Sequence, residues 1–300
     1  MNIRQTNLGI FTGFFTFIFW GSLVLYWKAL AHINAVEILL HRMCWSLVTI
    51  AILATICNSF ADIWVAVKQR ALMLRIFMAS IFIAGNWLLY IWSVTSGYIV
   101  EASLGSFINP LIFVLLGYIF LGEKMTHLQI IAIIIASLGV LYSVVTYGEF
   151  PFIGLTLAST FGVYGYIKKN IQLAVVPVFF LESLLLFPVA FIALLWLNIT
   201  GEANFFAYDL KTQALLVGTG LVTAFPLLLF AYTSKNVQLA TLGLMQYISP
   251  SLNLLLGVFV FHESISSANQ IMLICIWIAL AIYTWCSIRQ YKAVKTKFTN

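Results

Sequence analysis

The sequence has very little charge. Asp, Glu, Lys and Arg together make up only 8% of its 300 residues, and only 9 of those side chains are acidic. A soluble domain typically carries about 25% charged residues, so this chain lacks the polar surface that a water-soluble globule needs. Hydrophobic residues make up 63% of the chain, and its mean hydropathy is +1.04. The composition therefore predicts an integral membrane protein.

The sequence also lacks the motifs of most enzymes and of ATP-driven pumps. It contains no GxxxxGK[ST] phosphate loop, no HExxH metal motif and no GxSxG nucleophile motif. Its 4 cysteines show no CxxC spacing, so neither a metal site nor a disulfide framework is expected. Its 4 histidines do not cluster at ligand spacing; they are His32, His41, His127 and His262. We therefore expect no cofactor, no enzymatic reaction and no ATP-driven transport by this chain alone.

Long apolar runs are what the sequence has in abundance. A helix needs about 20 apolar residues to cross the bilayer core. Ten runs approach that length, at 8–27, 36–57, 72–94, 102–121, 127–146, 152–167, 176–198, 213–233, 239–261 and 268–288. They lack the alternation of apolar and polar residues that an outer-membrane β-barrel shows. We therefore predict an all-α membrane protein with ten transmembrane helices.

Basic residues in the predicted loops indicate the orientation of the chain. If both termini lie in the cytoplasm, the outer loops contain only Lys28 and Lys211. The inner side then holds Arg4, Lys68, Arg70, Arg75, Lys124, Lys168, Lys169, Lys235, Arg289, Lys292, Lys295 and Lys297. This imbalance follows the positive-inside rule and predicts cytoplasmic termini. It also explains the net charge of +6, and we expect the basic tail to contact anionic membrane lipids and no nucleic acid.

One sequence pattern occurs twice. Residues 109–123 read NPLIFVLLGYIFLGE, residues 249–263 read SPSLNLLLGVFVFHE, and both contain P-x6-G-x5-E. Leucine-rich helices resemble one another by chance, but a proline, a glycine and a glutamate in the same register are not expected to coincide. The repeated unit contains five predicted helices. We therefore divide the chain into two repeats, at 1–147 and 148–300.

An odd number of helices in each repeat determines how the two repeats are related. The second must enter the membrane from the opposite side, which gives an inverted-topology repeat. Such repeats are typical of secondary transporters, whose solute site lies near the bilayer midplane between the repeats. Pro110 and Pro250 are predicted to bend their helices beside that site. Glu123 and Glu263 are predicted to mark helix ends at opposite membrane surfaces, with little charge buried.

Ionisable residues within predicted helices are candidates for solute binding or ion coupling, because a charge in the bilayer costs about 2.5 to 3.5 kcal/mol and tends to face a cavity. In the outer halves of helices these are Glu37, His41, Arg42 and Glu101. Arg42 is the leading candidate for contact with an anion or a carboxylate; alternatively, it extends to the membrane surface and anchors its helix. Glu101 is a candidate gate or coupling residue; alternatively, it caps a helix N-terminus.

Glu182 is a further ionisable residue, and it lies within a predicted helix on the inner side. An ion pair with Lys168 or Lys169, at the end of the preceding predicted helix, would give it a structural role. We favour that structural interpretation over a direct role in transport.

Polar side chains align on two of the predicted helices. Asn86 and Tyr90 share one face of the third, and Gln246, Ser249 and Asn253 share one face of the ninth. As a set, these residues predict the walls of a common cavity. Any one of them is equally well explained by a hydrogen bond between helices, which contributes about 0.6 kcal/mol. Further candidate walls for a flat or amphipathic solute are Trp20, Trp87, Asn109 and Tyr164.

Six strings of the sequence carry a resemblance to a known family. They are EILLHRMCWS (37–46), GNWLLYIWSV (85–94), EASLGSFINPL (101–111), YGYIKK (164–169), LESLLLFPVA (181–190) and LGLMQYISP (242–250). The chain resembles the EamA-type members of the drug/metabolite transporter superfamily, and among them the RarD group of bacterial inner-membrane permeases. His262 departs from the family, which more often has a small residue before this glutamate. The resemblance implies a permease for small organic solutes and does not identify the solute.

We therefore predict a permease that works by alternating access, with its solute cavity between the two repeats. Two alternatives stay open at this point. A passive channel would pass solute without saturation, and a membrane-embedded enzyme or signalling protein would need a cluster of catalytic polar groups that the sequence does not show. Gly9 and Gly13 form a GxxxG motif, which is weak evidence for a homodimer.

Overall fold

The computed structural model describes residues 3–96, 98–260 and 266–299, and it confirms an all-α fold for them. These residues form one 3₁₀ turn, Phe205–Ala207, and twelve α-helices. The helices are α1 Ile3–Ala29, α2 Ala35–Ile56, α3 Phe60–Lys68, α4 Arg70–Thr95, α5 Ile99–Leu121, α6 His127–Tyr147, α7 Phe152–Asn170, α8 Val175–Thr200, α9 Leu210–Asn236, α10 Leu239–Gln246, α11 Ile248–Phe259 and α12 Ser267–Thr299. Glu263 and its neighbour His262 lie outside the described residues.

Eight of the described helices are long and apolar enough to cross a membrane, namely α1, α2, α4, α5, α6, α8, α9 and α12. This confirms a multi-pass membrane protein. The two other predicted spans take a different form. The run at 152–167 is α7, which has 19 residues and ends in two lysines followed by an asparagine. The run at 239–261 is divided between α10 and α11, so the number of ten transmembrane helices stays a prediction.

The prediction of one continuous helix over 239–261 is wrong, because α10 ends at Gln246 and α11 begins at Ile248. Pro250 explains the interruption. Proline has no amide hydrogen, and its ring clashes with the carbonyl four residues earlier, which here belongs to Gln246. Within α11, Pro250 lies in the first turn, where a missing amide hydrogen leaves no helical bond unmade. Pro110 lies inside the continuous helix α5, so only the second copy of the pattern is associated with a helix break.

A short helix, α3, joins α2 to α4, and it was not predicted because it lies between two of the long apolar runs. It has 9 residues, too few to cross a membrane. Ile63 and Ala66 are buried, whereas the rings of Phe60 and Trp64 are exposed. The ammonium of Lys68 lies 5.3 Å from the centroid of the Trp64 ring. Exposed aromatic rings beside a lysine are typical of a helix that lies along the membrane surface.

Short connections make successive long helices run in opposite directions. Consequently α2, α5, α7 and α9 all begin at one end of the bundle, which we call the Arg42 end. We call the opposite end, where α7 and α9 finish, the Lys169 end. Contacts between distant segments agree with this arrangement. The Tyr26 hydroxyl donates to the carbonyl of Leu215 at the Arg42 end, and Lys169 donates to the carbonyl of Ser234 at the other, at 3.1 Å.

An aromatic core lies between the two halves of the sequence. Phe17 of α1, Phe113 of α5, Tyr164 of α7 and Phe230 of α9 are all buried and belong to one apolar cluster. The rings of Tyr164 and Phe230 are stacked with their centroids 6.2 Å apart. A side chain at Gly165 would collide with the ring of Phe113, so glycine is required there. The core fills the middle of the bundle and separates its two ends.

Glycines on α1 pack against the second half of the same chain. A Cβ atom added at Gly13 would lie 2.8 Å from side-chain atoms of Thr233 and Met245, and one at Gly9 would lie 2.9 Å from Asn236. Such close approach is the usual role of a GxxxG motif between membrane helices. Because the motif is used within one chain, it no longer indicates a homodimer.

Candidate functional site

A cavity of about 330 Å³ lies at the Arg42 end of the aromatic core. Its walls come from α1, α2, α4 and α5 of the first half and from α7, α9, α10 and α11 of the second. The cavity brings together many of the residues that the sequence analysis selected: Trp20, Arg42, Asn86, Trp87, Tyr90, Asn109, Gln246, Ser249 and Pro250. Its volume is within the usual range for a small-molecule site, about 300 to 1,000 Å³.

Arg42 is held at the wall of this cavity by residues of three other helices. Its Nε donates to the hydroxyl of Thr223 on α9 at 3.1 Å. Its guanidinium carbon lies 4.9 Å from the ring centroid of Trp27 on α1 and 5.0 Å from that of Trp87 on α4. The alternative in which Arg42 anchors α2 at the membrane surface does not fit these contacts. The side chain instead lies inside the bundle, and its guanidinium is fixed in position.

The charge of Arg42 has no acidic partner in the described part of the chain. The ion pairs found there join Glu182 to Lys168 and Glu123 to Lys169, and Glu37 contacts His41 and Tyr208. An arginine in the bilayer costs about 2.5 to 3.5 kcal/mol on insertion scales. A cation–π contact returns up to about 2 kcal/mol when it is desolvated, so Trp27 and Trp87 offset part of this cost. The positive charge thus remains available to a solute in the cavity.

The amide side chains around the cavity connect the two halves of the sequence. Asn109 donates through Nδ2 to Oε1 of Gln246 at 2.5 Å, which joins α5 to α10. Asn86 donates to the carbonyl of Leu157 at 2.8 Å and to the hydroxyl of Thr160 at 2.9 Å, which joins α4 to α7. Within the described residues, Asn109 Oδ1 and Gln246 Nε2 are buried without hydrogen-bond partners. The amide side chains therefore make hydrogen bonds between helices and also line the cavity. These are the two roles predicted for them from the sequence.

Aromatic rings form much of the remaining wall. The ring centroids of Trp20 and Phe161 are 6.2 Å apart, and those of Trp20 and Phe17 are 5.7 Å apart. Trp87 lies against Arg42, and Tyr90 follows it one turn later along α4. A solute in the cavity would thus contact flat apolar surfaces on several sides.

Two residues that were predicted as walls lie elsewhere. Tyr164 is fully buried in the aromatic core, beside a separate cavity of only about 20 Å³. Its ring stacks on Phe230 and supports the core under the main cavity. Asn253 is exposed on α11 and does not line the cavity. The break at Tyr247 sets the rotation of α11 independently of α10, so a stripe counted along one continuous helix does not stay on one face.

Glu37 and His41 form a polar cluster next to the cavity without lining it. Both are buried, and Glu37 Oε1 lies 3.8 Å from His41 Nε2. The Tyr208 hydroxyl donates to Glu37 Oε2 at 2.9 Å, and the Trp45 indole nitrogen donates to His41 Nδ1 at 3.3 Å. Burial and the Glu37 carboxylate raise the pKa of Tyr208, which keeps its hydroxyl protonated. The cluster therefore fastens α2 to the segment before α9.

Glu101 caps a neighbouring helix. Its Oε2 accepts a hydrogen bond from the backbone amide of Ile153 at 3.1 Å, and its side chain is buried. Ile153 is the second residue of α7, so its amide is among the first four, which have no partner within the helix. Of the two roles predicted for Glu101, the geometry favours capping, with the difference that the capped helix is α7 and not its own helix α5.

At the Lys169 end, Lys168 and Glu182 form the ion pair that the sequence analysis favoured. The ammonium of Lys168 lies 3.0 Å from Oε1 and 2.8 Å from Oε2 of Glu182, and both side chains are buried. Lys235 at the end of α9 donates to the carbonyl of Leu173, between α7 and α8. Charged side chains thus connect the ends of α7 and α9 with the start of α8.

The prediction that Glu123 leaves little charge buried is wrong, because its side chain is only 8% exposed. Its carboxylate accepts hydrogen bonds from the amides of Leu239 at 2.6 Å and Ala240 at 2.9 Å, the first residues of α10. Lys169 lies 3.8 Å from the same carboxylate. A helix N-terminus and an ammonium group together compensate the buried charge.

Several cavity residues were missed from the sequence, among them Trp27, Phe161 and Thr223. Each is a single aromatic or polar residue in an apolar run, and such residues also occur where helices face lipid or pack in a core. Thr223 carries a weak signal, because it follows Thr219 by one helical turn in α9. That spacing alone does not distinguish a threonine that lines a cavity from one that makes a hydrogen bond between helices.

A larger groove of about 640 Å³ runs along the outside of α1, α10, the start of α11 and α12. It is lined mainly by apolar side chains, and the part of the chain that the structure describes contributes no charged residue to it. Such a groove is expected on a membrane helix bundle that faces acyl chains. The cavity at Arg42 is therefore the better candidate for a polar solute, because several polar groups converge there.

Comparisons with known proteins agree with the family resemblance. A family model described as the EamA-like transporter family matches residues 7–145. The uncharacterized transporter YojE of Bacillus subtilis is 40% identical over 99% of this chain and 100% of its own length. Protein RarD of Escherichia coli is 35% identical over 94% of this chain and 96% of its own length. Protein RarD of Streptomyces exfoliatus is 39% identical over 95% and 91%, respectively.

The fold is also found among solved structures. A crystal structure that is 17% identical in sequence superimposes with a TM-score of 0.70, over 93% of this chain and 97% of the other. At that identity the likeness concerns the fold alone. The relatives above are similar over nearly their whole length, and they carry the name of transporter or of RarD. This chain therefore belongs to the EamA-like transporter family, as a RarD-like permease of the drug/metabolite transporter superfamily.

Proposed function

We propose that this bacterial membrane transporter is an inner-membrane permease that binds a small organic solute in the cavity at Arg42 and moves it by alternating access. The observation that carries the proposal is a half-buried guanidinium without an acidic partner among the described residues, in a cavity between the two sequence halves. The solute is carried without chemical conversion. The described residues that line the cavity include no carboxylate, histidine, cysteine or lysine to serve as a nucleophile or a base.

The proposed architecture is ten membrane spans in two inverted repeats, 1–147 and 148–300. The pattern of helix packing supports it, because the contacts recur when corresponding helices of the halves are exchanged. Thus α1 packs on α9 while α7 packs on α4, and α2 packs on α9 while α8 packs on α4. Likewise α5 packs on α7, while α10 and α11 pack on α1. A pseudo-two-fold axis in the membrane plane produces this kind of exchange.

The proposed orientation places both termini in the cytoplasm and the Arg42 end toward the periplasm. It is supported by the position of basic side chains, since Lys168, Lys169 and Lys235 all lie at the Lys169 end. Positive residues favour the cytoplasmic side of a membrane protein. In this orientation the basic tail after α12 is expected to contact anionic lipid.

The conformation with the cavity at the Arg42 end corresponds in this proposal to an outward-facing state. The cavity lies at the Arg42 end, and the aromatic core with Phe113 and Phe230 lies between it and the Lys169 end. Glu123, bonded to Lys169 and to the first amides of α10, closes the cytoplasmic side. Inward opening requires these bonds to break while contacts form around Arg42. Glu101, Glu37 and His41 are assigned structural roles at the periplasmic side.

Flux through proteoliposomes tests transport by a carrier. Vesicles that contain purified protein are loaded with unlabelled solute and diluted into labelled solute, and a carrier accumulates the label transiently by exchange. We expect uptake that saturates with solute concentration and shows this counterflow, with protein-free vesicles as the control. Flux that increases linearly with concentration and shows no counterflow would identify a passive channel instead.

A further inference from the structure

We infer that the solute is an organic monoanion in which a carboxylate is joined to a flat apolar body. The inference rests on the proposed function, because it takes the cavity at Arg42 as the solute site. The first observation is the balance of charge in that cavity. Arg42 is the one charged residue among the described residues that line it, and the acidic side chains of the ion pairs all bind other partners. A carboxylate supplies the missing counter-charge, whereas an ammonium group would face a positive charge with no acid to bind it.

The contacts of Arg42 determine which part of the guanidinium is left for the solute. Thr223 accepts the hydrogen bond of Nε, and the rings of Trp27 and Trp87 pack against the group. In the described part of the chain, no residue accepts a hydrogen bond from the two terminal nitrogens. Those nitrogens carry parallel N–H bonds that match the two oxygens of a carboxylate. The site thus favours a planar two-oxygen anion.

The remaining wall of the cavity indicates which shape of solute body fits there. Trp20, Phe17 and Phe161 present aromatic surface to the cavity. A flat ring buries its faces against such surfaces and makes offset or edge contacts with them. Asn109 and Gln246 lie on the cavity wall with one unpaired acceptor and one unpaired donor among the described residues. Both atoms are buried in the wall, so they set no requirement on the body of the solute.

Binding of four small probes to the purified full-length protein tests the charge and the shape separately. Benzoate, benzamide and benzylamine share a ring and differ in charge, and acetate is a carboxylate without a ring. Isothermal titration and the melting temperature are the measurements. We expect saturable binding of benzoate with affinity at least about tenfold above that of benzamide, acetate and benzylamine, since charge-assisted bidentate bonds and ring contacts are both required. Equal or tighter binding of benzamide, benzylamine or acetate, or no saturable binding of benzoate, overturns the inference.

Substitution of Arg42 assigns the binding to this site. Arg42→Gln should weaken benzoate binding at least about tenfold, and Arg42→Lys should weaken it less, because lysine keeps the charge and loses the paired N–H bonds. Arg75→Gln is the matched control, since Arg75 is exposed and lies outside the cavity. The preference among probes is measured on the unsubstituted protein, so it holds even if an Arg42 variant fails to fold. Unchanged benzoate affinity in a folded Arg42→Gln protein also overturns the inference.

The two proposals fail in different ways. If benzoate binds through Arg42 but vesicles loaded with it show no counterflow, the site binds anions and the transport proposal fails. If counterflow occurs with neutral or cationic solutes and benzoate neither binds nor competes, the transport proposal stands and the anion inference fails. Binding and counterflow of benzoate, both lost in Arg42→Gln, support the two together.

Discussion

The ammonium of Lys168 lies 2.8 Å from a carboxylate oxygen of Glu182, and the two side chains are only 2% and 3% exposed. Lys168 belongs to the last turn of α7, and Glu182 lies two turns into α8. The ring centroid of Tyr164 is 5.6 Å from the same ammonium. A buried ion pair of this kind joins two membrane helices near the Lys169 end, directly beneath the aromatic core.

Breaking this pair should destabilise the protein strongly. We expect Glu182→Gln to lower the free energy of unfolding by about 3 to 5 kcal/mol, because the Lys168 ammonium stays buried without its carboxylate. The double variant Lys168→Met with Glu182→Leu should recover most of that loss, since no buried charge remains. Unfolding of the purified protein in detergent measures both. Lys124→Gln, at an exposed lysine, is the control, and equal stability of Glu182→Gln and wild type would contradict a structural role for the pair.

Glu101 should tolerate an isosteric neutral substitution. Glu101→Gln keeps an oxygen that accepts the hydrogen bond of the Ile153 amide, so we expect transport near the wild-type rate. Glu101→Leu removes the cap and should cost about 0.5 to 2 kcal/mol of stability. Initial rates of uptake and melting temperatures distinguish the two effects. If Glu101 instead coupled transport to protons, glutamine could not replace it. Loss of transport in Glu101→Gln at normal protein level would therefore favour the coupling role over the capping role.

The contact between α5 and α7 should be sensitive to a single methyl group. A Cβ atom added at Gly105 would lie 2.9 Å from the carbonyl oxygen of Gly154, and overpacking of this kind costs about 1 to 3 kcal/mol. We therefore expect Gly105→Ala to lower the melting temperature. Gly85→Ala is the matched control, because no atom of the described residues lies within 4 Å of the added group. Alanine favours a helix over glycine, so that variant should be as stable as wild type or more stable; equal effects of the two changes would argue against close packing at Gly105.

The sequence predicted those features that depend on the composition of long segments. The helical membrane fold, the family and most of the polar cavity residues follow from apolar runs, short family-like sequence strings and helical spacing. Arg42 and Asn86 were found because a polar residue in an apolar run stands out. Trp27 and Phe161 were not found, because an aromatic ring has the same sequence signal whether it faces lipid, a core or a cavity.

Other features depend on which helices pack against each other, and local sequence patterns do not indicate that packing. Glu123 was predicted to leave little charge buried, yet its carboxylate is buried where it caps α10, whose first residue is more than a hundred positions later. Asn253 was placed on the cavity face by counting along one helix, and the break at Tyr247 changed its direction. Both errors come from treating a span as a straight and isolated helix.

The bonds of Glu123 should control which side of the membrane reaches the cavity. Glu123→Gln removes the charge that binds Lys169, and Lys169→Met removes the ammonium. We expect the double variant to populate the inward-facing state more than wild type, because the contacts that close the cytoplasmic side are weakened. The change should appear as new access to the cavity from the cytoplasm, while Lys124→Gln, at an exposed neighbouring lysine, leaves access unchanged.

The most direct test of the central claim is the labelling of a cavity cysteine from each side of the membrane. Ser106→Cys is made in a background without the native cysteines, since Ser106 lines the cavity, and an impermeant thiol reagent is applied to vesicles of either orientation. Cysteines at Glu202 and Lys68 mark the periplasmic and cytoplasmic sides. We expect Cys labelling at position 106 mainly from the periplasmic side, with cytoplasmic labelling appearing when Glu123→Gln and Lys169→Met are added. Labelling from the cytoplasmic side alone, or from both sides equally in every variant, would contradict alternating access through the cavity at Arg42.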